Sequence, residues 1–473
     1  MNLLEKKRAI LFCVLCFVFL CLSIIFSGKF FFAGIWTFLT LVVIAIFLGS
    51  QKNFYVFNPI NLFCIFYITI PLTSIYYIFT DFNNSIFIDK YLLKGDYVSL
   101  FNLATFYYLL GLVCLIAGYR MFKNPIIGSM KFHSGNNSEM SDILIRCTAY
   151  ILSLIGLFNF LFNVVRFSGG NILNYLSNVA LRHHEFSEVG GTTAGYHFLY
   201  IGAYLILYLH IKNKSSFFEL LIIVIISTIV KASVGRIYGT VVHLMSFIAM
   251  FYFSQIGKAP VLSIYNRKFI IGALFLVLMG GVFYFYRVYS ALSIGTDIVF
   301  EDLISEFSGA LGMFVFDKGN TPNVALFMKI IDSWSHDYGY LYGKSLFSGI
   351  LPLELINNHG YNTSIITQEL WYSHLPSGAL PTTAVGELYM NFGPIGVPIF
   401  MFFFGVVLKL FFIYAIRRST FTSFLTLTLL SLSFVFIYPK VDFSNLKLYW
   451  IILGCAPFLF IKICKFVSYR KKN

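Results

Sequence analysis

A succession of apolar runs, each about 20 residues long and closed by a short polar turn, constrains this chain more than anything else in it. A run of that length crosses the hydrocarbon of a bilayer as a helix. Only a helix satisfies its own backbone N–H and C=O groups where water is absent. Such runs number about twelve, at about 9–27, 30–48, 60–80, 97–118, 143–165, 194–211, 217–234, 236–254, 269–286, 394–416, 420–438 and 447–464. Charged residues make up 11% of the chain, where a globular domain carries about 25%. The deficit leaves lipid or neighbouring helices to cover most of the surface. The expected fold class is an all-α polytopic membrane protein with about 12 transmembrane helices. An even number of spans returns both termini to one side.

Lysine and arginine mark that side. Lys6, Lys7 and Arg8, Lys52, Arg120 and Lys123, Lys212 and Lys214, Arg267 and Lys268, Arg417 and Arg418, and Lys465 through Lys472 gather in short connections poor in acidic residues. Clusters of this kind stay in the cytosol, so both termini are expected there. Met1–Arg8 reads as a cytosolic lead-in, because the apolar run behind it is too long for a cleavable leader and has no A-x-A exit. The net charge of +14 would suit a nucleic-acid binder. The charges cap apolar runs and form no contiguous stripe, however, and no nucleic-acid partner is expected. All eight cysteines lie within or beside apolar runs, Cys13-x-x-Cys16 among them, and read as packing residues.

The opposite face receives two substantial loops. One, near Arg166–Thr193, joins the fifth and sixth spans. The other, near Val288–Gly393, joins the ninth and tenth and is large enough to form a small helical domain. Three regions follow: a bundle of nine spans over 1–287, a large outer loop over 288–393, and three further spans over 394–473. Within the loop, Leu326, Phe327, Ile330, Ile331 and Trp334 recur at helical spacing behind an N-cap signal at Thr321-Pro322. The stretch closing it, A-L-P-T-T-A-V-G-E-L-Y-M-N-F-G-P-I-G-V over Ala379–Val397, runs directly into the tenth span. Pro394 suits the first turn of that span, where its missing N–H costs nothing. This reading sets Glu387 in a bend above the span.

Basic residues on the outer face run against the topology rule and call for a purpose. Arg166, Arg182, Arg236 and Arg287, with Lys231, fall at about one depth near the outer water boundary. Each alone suits a snorkelling side chain. Together they suit an anion site, since a guanidinium stays charged and its planar fork binds phosphate oxygens in pairs. The outer face has no supply of nucleotide sugars or ATP, so a transferase there draws its donor from lipid. Arginines also stabilise a departing diphosphate without a metal or other cofactor. A hydroxyl nucleophile would need a base, which these residues leave open among Glu387, Asp317, Glu369, His374 and the pair His183-His184. Aromatic residues of the loop, Tyr338, Tyr340, Tyr342, Trp371 and Tyr372 among them, belong by default to an interfacial belt and could also stack on sugar faces.

In its plan of about twelve spans with one large outer loop late in the chain, the sequence resembles the O-antigen polymerases of the Wzy type. The likeness is most specific in G-E-L-Y-M-N-F-G-P-I-G (Gly386–Gly396) and S-G-I-L-P-L-E-L (Ser348–Leu355), and weaker around Arg182 and Arg236. It implies a fold related to the GT-C membrane transferases, and a protein of the bacterial inner membrane. It implies undecaprenyl-diphosphate-linked oligosaccharides as partners, with membrane lipid around them and a chain-length regulator as a further partner. By this likeness Arg182, Arg236 and Arg287 hold diphosphate, and Glu387 matches the glutamate of the G-E-x-Y stretch. Arg166, Lys231, Asp317, His374, Tyr389 and Trp371 are the further substrate-binding candidates. An O-antigen ligase shares the plan and is the nearest alternative. A flippase for lipid-linked sugars is another, though it would favour charges in mid-span, which are scarce here.

Overall fold

The structure, a computed structural model, describes residues 28–51, 58–82, 93–122, 139–177, 195–233, 243–250, 324–350, 361–371, 382–418 and 421–431, and among these residues all regular structure is helical. In chain order the helices are α1 (Phe31–Gly49), α2 (Pro59–Tyr67), α3 (Thr69–Thr80), α4 (Tyr97–Arg120), α5 (Glu139–Ser168), α6 (Ile172–Ser177), α7 (Tyr196–Ile211) and α8 (Phe217–Ala232). A helix over 243–250 follows as α9. Beyond it come α10 (Val324–Lys329), α11 (Ser335–Asp337), α12 (Lys344–Ile350), α13 (Thr363–Trp371), α14 (Thr383–Arg418) and α15 (Phe421–Leu430).

Among the described residues five segments are long and apolar enough to cross a membrane: Gly28–Gly49, Pro59–Thr80, Tyr97–Arg120, Asp142–Ser168 and Thr383–Arg418. They coincide with runs expected at 30–48, 60–80, 97–118, 143–165 and 394–416. Their large apolar side chains also point outward, as at Phe158, Phe162 and Val165 on α5 and Ile395, Phe403 and Phe411 on α14. Faces of this kind suit lipid rather than water. Helices α7 and α8 fall where two shorter spans were expected. The spans expected at 9–27, 269–286 and 447–464 lie outside the described residues, as do parts of those at 236–254 and 420–438.

The chain divides into two compact units, one of residues 1–124, 310–413 and 430–449, the other of 125–309, 414–429 and 450–473. In the first, α4 is the central helix. Asp96 caps it by accepting the Ser99 N–H at 3.0 Å; the Ser99 hydroxyl at 2.8 Å, and after it that amide, hold the Asp96 carboxyl below the usual aspartate range. Helices α1, α10 and α14 pack against α4. The approach to α14 is close because small residues face backbone. A Cβ on Gly118 would collide with the Phe402 carbonyl, and one on Gly405 with the Leu115 carbonyl. Backbone proximity through glycine is a common way for helices to associate where lipid removes the hydrophobic driving force.

Two proline effects shape this unit. The expected span at 60–80 is a pair of helices meeting at Ile68, because Pro71 has no N–H to bond the Tyr67 carbonyl one turn earlier. The second concerns α14. The sequence reading started a helix at 394; the helix in fact begins at Thr383 and is interrupted at Gly393 (φ 71°, ψ −162°). Glu387 therefore sits inside a helical segment and not in a bend, which corrects the sequence-based placement.

Part of the large loop packs into the same unit. Leu326, Phe327, Ile330, Ile331 and Trp334 are all buried, as their spacing predicted, while Thr321-Pro322 lie outside the described residues. Helices α10 and α11 are joined by a π turn, Ile330–Trp334. Its Asp332 accepts the backbone N–H groups of Lys94 (2.9 Å) and Gly95 (2.8 Å), pinning the lead-in to α4 against the loop.

In the second unit α5 packs along α7, again through glycine. Gly156 lies against Leu199, Gly195 against Asn159, and Gly202 against the Ala149 carbonyl and Ser153. Helix α8 lies against α7 and is capped by Ser216, whose hydroxyl accepts the Glu219 N–H at 3.1 Å.

Candidate active site at the helix break

The break in α14 leaves two carbonyls without their helical donors. Pro394 has no N–H to offer the Met390 carbonyl. The glycine conformation at 393 turns the next donor away from Asn391. A loop segment takes both places: Leu341 N–H and the Trp334 indole N–H donate to the Met390 carbonyl (3.0 and 3.2 Å), and Tyr342 N–H to the Asn391 carbonyl (3.0 Å). Tight turns bring the segment in, with left-handed backbone at Gly339, Tyr342 and Gly343. Gly393 is needed for more than its torsion, since a Cβ there would stand 2.7 Å from the Tyr340 hydroxyl.

This docking encloses Glu387, which is 0% exposed. Its Oε1 accepts the Ser345 hydroxyl at 2.7 Å. The carboxamide of Asn391, one helical turn further on, donates from Nδ2 to Ser345 Oγ (2.7 Å) and to the Glu387 carbonyl (2.8 Å). Its Oδ1 accepts the Gly343 N–H at 2.9 Å. A carboxylate taken out of water is costly unless such donors surround it. The serine hydroxyl thus occupies the position of a donor that hands its proton toward a carboxylate. The start of α14 is held as well: Thr383 caps Gly386 N–H (3.3 Å) and bonds the Tyr108 hydroxyl (3.1 Å).

The remaining candidates divide by location. Tyr389 lies on the far side of the helix from Glu387, packed edge-on against Tyr107 and Phe327, each at 5.8 Å. Trp371 is half-buried, edge-on to Trp334 and Tyr338 at 6.2 Å each, with Lys329 Nζ 5.3 Å from its ring centroid. Burial holds the Lys329 ammonium below the usual lysine range, with Asp332 pulling the other way. Glu369 is exposed on α13. Arg166 and Lys231 belong to the second unit, at the ends of α5 and α8. Arg166 is exposed; Lys231 Nζ stands 4.6 Å from the centroid of the Tyr200 ring. Arg182, His183, His184, Arg236, Arg287, Asp317 and His374 lie outside the described residues. Among the described residues no group of three His, Cys, Asp or Glu side chains is arranged to hold a metal ion.

Sequence reasoning passed over Ser345 and Asn391. Asn391 had a signal, because a residue four beyond Glu387 shares its helix face. Ser345 had none, since 42 positions separate it from Glu387 and only the break brings them together.

The family model described as O-antigen polysaccharide polymerase Wzy matches residues 9–471. Comparison with curated proteins and with solved structures finds no match.

Proposed function

Because the chain belongs to the O-antigen polysaccharide polymerase Wzy family, we propose that it joins undecaprenyl-diphosphate-linked oligosaccharide repeat units into polysaccharide at the outer leaflet of a bacterial inner membrane. In this reading about twelve spans form a GT-C-like scaffold, both termini face the cytosol, and the large loop faces outward. The reaction is an inverting glycosyl transfer. An acceptor hydroxyl on the incoming repeat unit attacks the anomeric carbon of the growing glycan. The bond from that carbon to the diphosphate breaks, and its electron pair leaves with the diphosphate. Glu387 takes the hydroxyl proton. Arg182, Arg236 and Arg287 offset the charge that grows on the leaving group, a role that needs no metal.

The observation that carries the proposal is the Ser345 hydroxyl on Glu387 at 2.7 Å. It is the geometry a sugar hydroxyl must adopt before losing its proton to that carboxylate. The acceptor would take the serine's place as the segment around 341–345 gives way, since that segment is held on the break by hydrogen bonds. Trp371 and the exposed ring of Tyr338 lie on the same loop and suit stacking on a sugar face.

The test is a reconstituted reaction with lipid-linked repeat units. Wild-type protein should yield a ladder of polymer, and Arg236→Lys should shorten or slow it while expression holds, because lysine lacks the planar two-point fork. A full-length ladder at the wild-type rate from that variant would remove the diphosphate role. Transfer to lipid A core without polymer would point to a ligase.

A further inference from the structure

One phenol in the second unit stands apart from the other buried tyrosines. Tyr67 donates to the Tyr108 carbonyl, Tyr119 to Asn58, and Tyr204 pairs with Ser246, while Tyr196 accepts from Asn163. Tyr200 is 7% exposed, and its hydroxyl is buried with no hydrogen-bond partner. A native fold rarely leaves such a group unmatched, and a place for a ligand, ion or water is one of the few physical reasons for it.

The surroundings of Tyr200 indicate what that ligand is. The ring lies in the first turns of α7, beside the last turn of α8 and the start of α9. Lys231 Nζ lies over it at 4.6 Å from the centroid. His243 packs on the ring at 4.8 Å and His197 meets it edge-on at 5.7 Å. His243 is itself fixed through Nε2 to Ser227 Oγ at 2.8 Å, and by the ring of Phe247 at 5.0 Å. A phenol O–H and an ammonium both donate, and the acceptor that the positive charge of the ammonium favours is an oxyanion.

We propose that Tyr200 and Lys231 form a subsite for a phosphoryl oxygen, Tyr200 giving a directed hydrogen bond and Lys231 the charge. Resting on the polymerase reading, the phosphoryl group is that of the lipid diphosphate; the headgroup of an anionic phospholipid offers the same oxygen. His243 and Ser227 are positioning residues that hold the ring.

Tyr200→Phe tests this, because it removes one oxygen and keeps the ring on which Lys231 and His243 pack. The full-length protein in nanodiscs is titrated with undecaprenyl diphosphate and separately transferred to nanodiscs enriched in phosphatidylglycerol. The subsite predicts that Tyr200→Phe weakens undecaprenyl diphosphate binding about tenfold, the size of a lost hydrogen bond to a charged group. KM for the lipid-linked repeat unit should rise alongside, with kcat nearly kept and the melting temperature not lowered. Lys231→Gln should weaken binding further. Unchanged binding with a raised melting temperature would overturn the proposal, as that is the mark of a merely orphaned hydroxyl relieved. Weakened phosphatidylglycerol binding alone would overturn the assignment to the substrate. Binding is read without turnover, so a failure here is separate from a failure of Glu387 in catalysis.

Discussion

At the scale of single residues, two carboxylates five positions apart show how burial decides what a charge is worth. Asp332 accepts two backbone N–H groups from the lead-in to α4 inside the π turn. Asp337 pairs with Lys94 at 2.7 Å in the open, and that bond raises the Lys94 pKa. Replacing Asp332 by alanine strands two amides and should cost about 1–3 kcal/mol, visible as a melting temperature lower by several degrees. Asp337→Asn should leave the melting temperature unchanged, because solvent screens an exposed pair. Equal losses from both variants would contradict the assignment. The sequence named neither residue, as acidic side chains in a loop look alike until the fold buries one. Glu387 was legible as a candidate through its place in G-E-L-Y, though not its position inside a helix. The network that holds it was only half so: Asn391 follows at helical spacing, whereas Ser345 arrives by tertiary contact.

At the scale of elements, α14 is organised by one interruption. Gly393-Pro394 was readable as a break from glycine's freedom and proline's missing donor. What lay before it was not readable, because Thr382-Thr383-Ala384-Val385-Gly386 is poor in strong helix formers. Packing against α4 and α10, together with the docked 341–345 segment, makes it helical. Gly393→Ala would force a side chain into a region of backbone space that is essentially glycine's, costing of order 1–3 kcal/mol. It would also press on Tyr340. The expected outcome is loss of polymer synthesis together with a lower melting temperature. Gly118→Val tests the other contact of α14, since its side chain meets the Phe402 carbonyl. It should destabilise the protein by about 1–3 kcal/mol through overpacking. A wild-type melting curve for either variant would mean that α14 is held some other way.

At the scale of the whole molecule, the membrane character was written in run length and charge, and the five long apolar segments fall on expected spans. Pairing of helices was less legible, because apolar faces look the same whether they meet lipid or protein. Glycines Gly118, Gly156, Gly202 and Gly405 mark where backbones meet, but sequence does not say which glycine faces which helix. Membership in the polymerase family supports a polymer-forming role for the chain, and the proposal gives the carboxylate enclosed at the helix break its part in that role. The most direct measurement is polymerisation of lipid-linked repeat units in proteoliposomes by wild type and Glu387→Gln, resolved by product length. With the base removed, the rate should fall by a factor of about 10²–10⁴, leaving single repeats where wild type makes a ladder, with the protein still folded. A Glu387→Gln ladder matching wild type in length and rate would contradict the account at its centre.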